Sequence, residues 1–100
     1  MKDYERVFKM EKIKEQQEET IEKLKIILNQ LDLQQKDYEE LMDYYYSEER
    51  NKDIENNMKG LIPGDFTRGV LTEDQIYNLA VDSNGVAIRM IETALKLLKT

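Results

Sequence analysis

Pro63 and three of the four glycines (Gly60, Gly64 and Gly69) fall within ten residues of one another, so turn-forming residues are confined to one stretch of this chain. What precedes them has the spacing of a helix. Apolar residues stand at Val7, Met10, Ile21, Leu24, Leu28 and Leu31, in steps of three and four, with Lys14 and Gln17 interrupting the stripe and Phe8, Ile13 and Ile27 widening it. That period places them on one face of an α-helix and excludes a strand. Asp3 is an expected N-cap, with Glu5 in the first turn at the positive end of the helix dipole.

The register runs on through Gln35, Tyr38, Met42 and Tyr45, which permits one helix of some forty residues. Against this, Asn29 to Gln35 lowers helix propensity, and Asp32 is a suitable cap for a new start. A helix that long is rare in a small domain. The sequence reading therefore favours a turn at 31–35 and a helical hairpin, with Tyr38, Leu41, Met42 and Tyr45 facing inward on the second arm. Ser47, followed by Glu48 and Glu49, predicts a fresh helix start and a kink; Gly60 predicts its end.

The stretch 60–71 carries Pro63-Gly64, suited to a type II turn, flanked by Leu61, Ile62 and Phe66. It is expected to tuck these side chains beneath itself. Thr72-Glu73-Asp74-Gln75 reads as a capping box, with Leu71 and Ile76 at the staple positions. A short helix is expected to end at Asp82-Ser83-Asn84-Gly85. A last one, from about 85 to 99, is expected to bury Ala87, Met90, Ile91, Ala94, Leu95 and Leu98. The fold class is thus all-α, a single helical domain over 1–100. Its N-terminal long helical hairpin packs with a C-terminal pair of shorter helices, and loop 60–71 is wedged between.

Composition narrows the chemistry. There is no Cys, hence no disulfide, thiol nucleophile or thiolate metal site, and no His, the commonest general base near neutral pH. The carboxylates, Tyr, Lys, Ser and Thr that remain show no nucleophile–base pairing, and the glycines match no phosphate-cradling spacing. No enzymatic activity and no cofactor are expected. The net charge of −6 is uneven, −5 over residues 1–50 and −1 over 51–100. An acidic surface repels a phosphate backbone, so nucleic-acid binding is disfavoured. No apolar run approaches the ~20 residues of a membrane span, and the N-terminus lacks a signal-peptide apolar core, so a cytoplasmic location is expected.

The segment YYYSEERNKD followed by PGDFTRGVLTEDQIYNL resembles a family of small bacterial proteins of unknown function, domain-of-unknown-function family forty-two ninety-eight. The family pattern falls here on Tyr44, Tyr45, Ser47, Glu48, Glu49, Asp53, Pro63, Arg68, Gly69, Val70, Leu71, Glu73, Asp74 and Tyr77, with Met10-Glu11 matching earlier. Thr72 stands in place of the family's Ser and keeps a capping hydroxyl. Arg50 stands in place of a Trp, which removes an aromatic element. The resemblance implies an all-helical fold and carries no assigned activity.

Three consecutive tyrosines cannot share one helix face, because neighbours are about 100° apart; at least one is expected at the surface. Tyr44, Tyr46, Arg50, Asp53 and Arg68 form the candidate interaction surface. Arg68 is expected to tie its loop to Asp65, Asp53 or Glu73, or to grip an anion. The resulting expectation is a small interaction or adaptor module with an unidentified protein partner, able to self-associate as a homodimer through the N-terminal helix. The alternative is a carboxylate-based divalent-metal-binding protein or enzyme, its cation held by Glu48, Glu49 and Asp53, with Asp43 and Asp74.

Overall fold

The computed structural model describes the backbone of residues 2–100 and the side chains from Tyr4 onward. The described residues are all-helical: α1 spans Lys2–Tyr45, α2 spans Glu48–Met58, and α3 spans Gln75–Leu98, with a 3-10 turn at Gly69–Leu71 before α3. The chain divides into two compact units, Met1–Glu39 and Glu40–Thr100.

The turn expected at 31–35 is replaced by continuous helix, since α1 runs unbroken to Tyr45. The reason lies in the residues. The first glycine is Gly60 and the only proline is Pro63, so nothing in α1 breaks the backbone ladder. Asn, Gln and Asp cost only tenths of a kcal/mol each in a helix interior, too little to force a reversal by themselves. Along the first unit, Lys14 bridges Glu11 at 3.0 Å and Glu18 at 3.6 Å, and Lys23 and Lys25 pair with Glu19 and Glu22 at 3.0 Å. These pairs are exposed and add little individually.

The second unit begins with the last turns of α1. Here the sequence signals hold. Ser47 adopts an extended backbone, and its Oγ accepts the Arg50 N–H at 3.2 Å, which starts α2 with Glu48 and Glu49 in its first turn. The helix ends in a Schellman motif. Gly60, at φ 72°, donates to Asn57 O at 3.1 Å while Leu61 donates to Asn56 O at 2.9 Å.

The start of α3 departs from the capping box. Thr72 is extended, and its Oγ1 donates to Gly69 O at 2.7 Å, so it closes the 3-10 turn. Asp74 becomes the N-cap residue, and its carbonyl accepts the Asn78 N–H at 2.8 Å. The Gln75 side chain lies over Gly69, where a β-carbon would overlap its carboxamide.

The expected C-terminal pair is likewise one helix, because α3 continues through Asp82-Ser83-Asn84-Gly85. One glycine costs an interior helix about 1 kcal/mol, which the turns on either side outweigh. Gly85 faces open space. Gly85→Ala is accordingly expected to stabilise α3 by about 0.5–1 kcal/mol, read as a higher urea midpoint at unchanged slope.

The core is small. Among described hydrophobic residues only Ile76 is buried, at 3% exposure. Tyr38, Leu41, Met42 and Tyr45 are half-buried, in keeping with the inward face assigned to them, whereas Ala87, Met90, Ile91, Ala94, Leu95 and Leu98 are exposed rather than buried.

Candidate functional site

The most structured part of the second unit is built by two arginines acting on backbone carbonyls. Arg50 projects from the first turn of α2, which the Ser47 cap fixes in place. Its Nε donates to Val70 O at 3.0 Å and its Nη2 to Thr72 O at 2.7 Å, and its guanidinium lies 4.9 Å from the Tyr45 ring centroid. One side chain thus ties α2 to the 3-10 turn and stacks on the end of α1. At 9% exposure it is interior, not part of an open surface. Arg50 thus occupies a packing position, with its planar cation over an aromatic ring.

Arg68 does the corresponding work within the loop. Its Nη1 donates to Phe66 O at 3.0 Å, and its Nη2 donates to Ile62 O at 3.0 Å and Gly64 O at 2.9 Å. The guanidinium covers the Phe66 ring at 4.5 Å. The expected carboxylate partners give way to carbonyls, because the loop curls around the guanidinium and presents three oxygens to it. Gly64, at φ 104°, provides the left-handed step that this curl needs, as Pro63-Gly64 predicts. The loop closes by this clasp and not by burying its apolar groups: Leu61 and Phe66 remain exposed and only Ile62 is half-buried.

Between these elements lies a hollow of about 290 Å³ lined by Tyr44, Asp53, Ile62, Phe66, Arg68, Val70 and Leu71. Its floor is apolar. At its polar edge the Tyr44 hydroxyl donates to Asp53 Oδ2 at 2.6 Å, joining the end of α1 to the middle of α2. Partial burial, reinforced by this bond to a carboxylate, pushes the Tyr44 hydroxyl up from 10.0 to about 12. The protonated phenol is therefore favoured by the folded state. Its contribution to stability is complete below pH 10 and is lost as pH rises toward 12. In an ultraviolet phenolate titration, one tyrosine is expected to ionise about two pH units after an ordinary one, and Tyr44→Phe should remove that late component.

Of the five residues expected to form a surface, the fold brings Tyr44, Asp53 and Arg68 together around the hollow. Tyr46 stands apart at 79% exposure, its ring edge-on to Tyr45 at 4.9 Å. The acidic residues do not converge. No three carboxylates among the described residues are placed to hold a metal ion. Asp53 takes the tyrosine hydroxyl, and Glu48 and Glu49 lie exposed in the first turn of α2. Ile62, Val70 and Leu71 form apolar walls of the hollow that no pattern in the sequence marks, since short apolar pairs in a loop give no periodic signal.

A family model described as "Domain of unknown function (DUF4298)" matches residues 7–93. The chain belongs to this family. The match takes in α1 almost from its start, both arginine ties and most of α3, so the hollow lies wholly within the family's domain. Neither the curated proteins nor the solved structures yield a match. No helix among the described residues is long and apolar enough to cross a membrane.

Proposed function

We propose that this protein is a non-catalytic interaction module of the bacterial cytoplasm that self-associates through α1. One observation carries the reading: large apolar side chains stay exposed along both long helices. On α1 they include Met10, Leu24, Ile27 and Leu31; on α3 they include Ile88, Ile91, Leu95 and Leu98. Isolated exposed hydrophobics are ordinary on a soluble protein, but a contiguous stripe of them marks a surface that associates. The hollow beside Tyr44 and Arg68 supplies a second place, small and apolar with a polar edge, where a single partner side chain could insert. Absent His and Cys, and with Asp53 held by a tyrosine, the chemistry of the hollow suits recognition better than turnover.

Light scattering tests this directly. Wild-type protein is expected to have twice the chain mass, and a Leu24→Asp, Leu28→Asp variant to return to the monomer. A wild type that stays monomeric at high concentration, and retains from a bacterial lysate only what the variant retains, would overturn the reading.

A further inference from the structure

We infer that two copies of this chain pair through α1 in antiparallel orientation, about a two-fold axis at residue 26; this rests on the reading that the chain self-associates through α1. The seam positions of α1 repeat in alternating steps of three and four from Val7 to Tyr38 and are apolar except at Lys14, Gln17 and Gln35. An ideal straight helix drifts about 20° per heptad against that repeat, so a seam kept over about four heptads is the mark of a helix wound around another.

The occupants of the seam identify the second helix as another copy. Antiparallel pairing centred on residue 26 sets each seam residue against a fitting one. Leu24 faces Leu28 of the second copy and Ile21 faces Leu31. The polar interruptions also match: Gln17 meets Gln35, two carboxamides that can each donate and accept. Lys14 meets Tyr38, an apolar ring with a polar tip. A parallel pair would instead set Lys14 against Lys14, two like charges in the seam. A polar residue in a seam is what fixes register and orientation in paired helices.

Charge points the same way. Residues 2–14 carry a net +2 and residues 38–45 a net −3. Antiparallel pairing sets these segments side by side, where parallel pairing stacks like on like. The same register brings Glu11 and Glu18 toward Glu39 and Asp32 of the second copy on the rim. Both of those glutamates already hold Lys14, at 3.0 and 3.6 Å, and that pairing raises the Lys14 pKa, the Glu11 hydrogen bond foremost. The cation in the seam thus offsets the like charges beside it.

The protein contains no cysteine, so single introduced thiols report the pairing cleanly. Gln17→Cys and Gln35→Cys variants, each verified helical by circular dichroism, would be oxidised alone and after unfolding and refolding as a 1:1 mixture. Antiparallel pairing leaves the thiol of the Gln17→Cys variant about 27 Å from its own counterpart along the seam, at ~1.5 Å per residue. Neither variant alone should cross-link, while the mixture should approach the statistical half. Self-linked Gln17→Cys with no gain on mixing would overturn the orientation and leave self-association standing. A dimer by light scattering that cross-links in no combination would overturn the seam. A monomeric wild type would overturn both this inference and the reading it rests on.

Discussion

Arg50→Met is expected to destabilise the second unit by about 3 kcal/mol, the largest effect of any single substitution considered. The change strips partners from Val70 O and Thr72 O together, and a hydrogen bond from a charged group contributes about 1.5–3 kcal/mol, less where it is partly open to water. It also removes the stack on Tyr45. Methionine keeps the aliphatic volume, so the loss reports on the guanidinium rather than on a cavity. Arg50→Lys should recover less than half, since an ammonium cannot present two donors in a fixed fork. Urea unfolding followed by circular dichroism, with all variants at one chain concentration, gives the comparison. A loss below about 0.5 kcal/mol, the range of a neutral surface substitution, would show that these carbonyls find water readily.

Arg68→Ala is expected to release the 62–68 loop at a cost of about 2 kcal/mol. Three hydrogen bonds from a charged group vanish at once, although part of the site is open to solvent, which reduces their worth. The effect should be local. Amide hydrogen exchange should accelerate at residues 62–68, with α1 and most of α3 unchanged. The hollow shares Phe66 and Arg68 with the clasp, so any ligand or partner seated there should be lost with it. Uniform acceleration along the whole chain would instead mean that the loop is integral to the cooperative unit.

Much of this architecture is legible in the residues, and the misses have common causes. Signals written locally hold: Ser47 starts α2, Gly60 ends it, and Gly64 turns the loop. These work through hydrogen bonds within a few residues, which is the distance over which sequence can be read unaided. The misses at 31–35 and 82–85 come from treating weak propensity as a stop. Asp32 and Gly85 are each tolerated within a helix whose neighbouring turns outweigh them. Thr72 shows a third cause. Its hydroxyl can cap a helix or close a 3-10 turn, and with Arg50 on its carbonyl it does the latter. Arg50 itself is separated by twenty residues from the carbonyl its Nε reaches. Nothing near it in sequence says that a basic residue on a charged helix will lie inside. The candidate site follows the same division: Tyr44, Asp53 and Arg68 attract notice by chemistry, while its walls become visible only once the loop has closed.

The clasp of Arg68 grips only carbonyl oxygens, a group that every amino acid supplies. The shape of the loop is therefore written at very few letters: an arginine to hold it, a glycine to let it bend, and a ring beneath the cation. Leu61, Asp65 and Thr67 contribute nothing to the grip that another residue would not. Those positions are free to drift under selection for something else, and the identity of the exposed rim can change from one relative to the next without disturbing the frame that presents it.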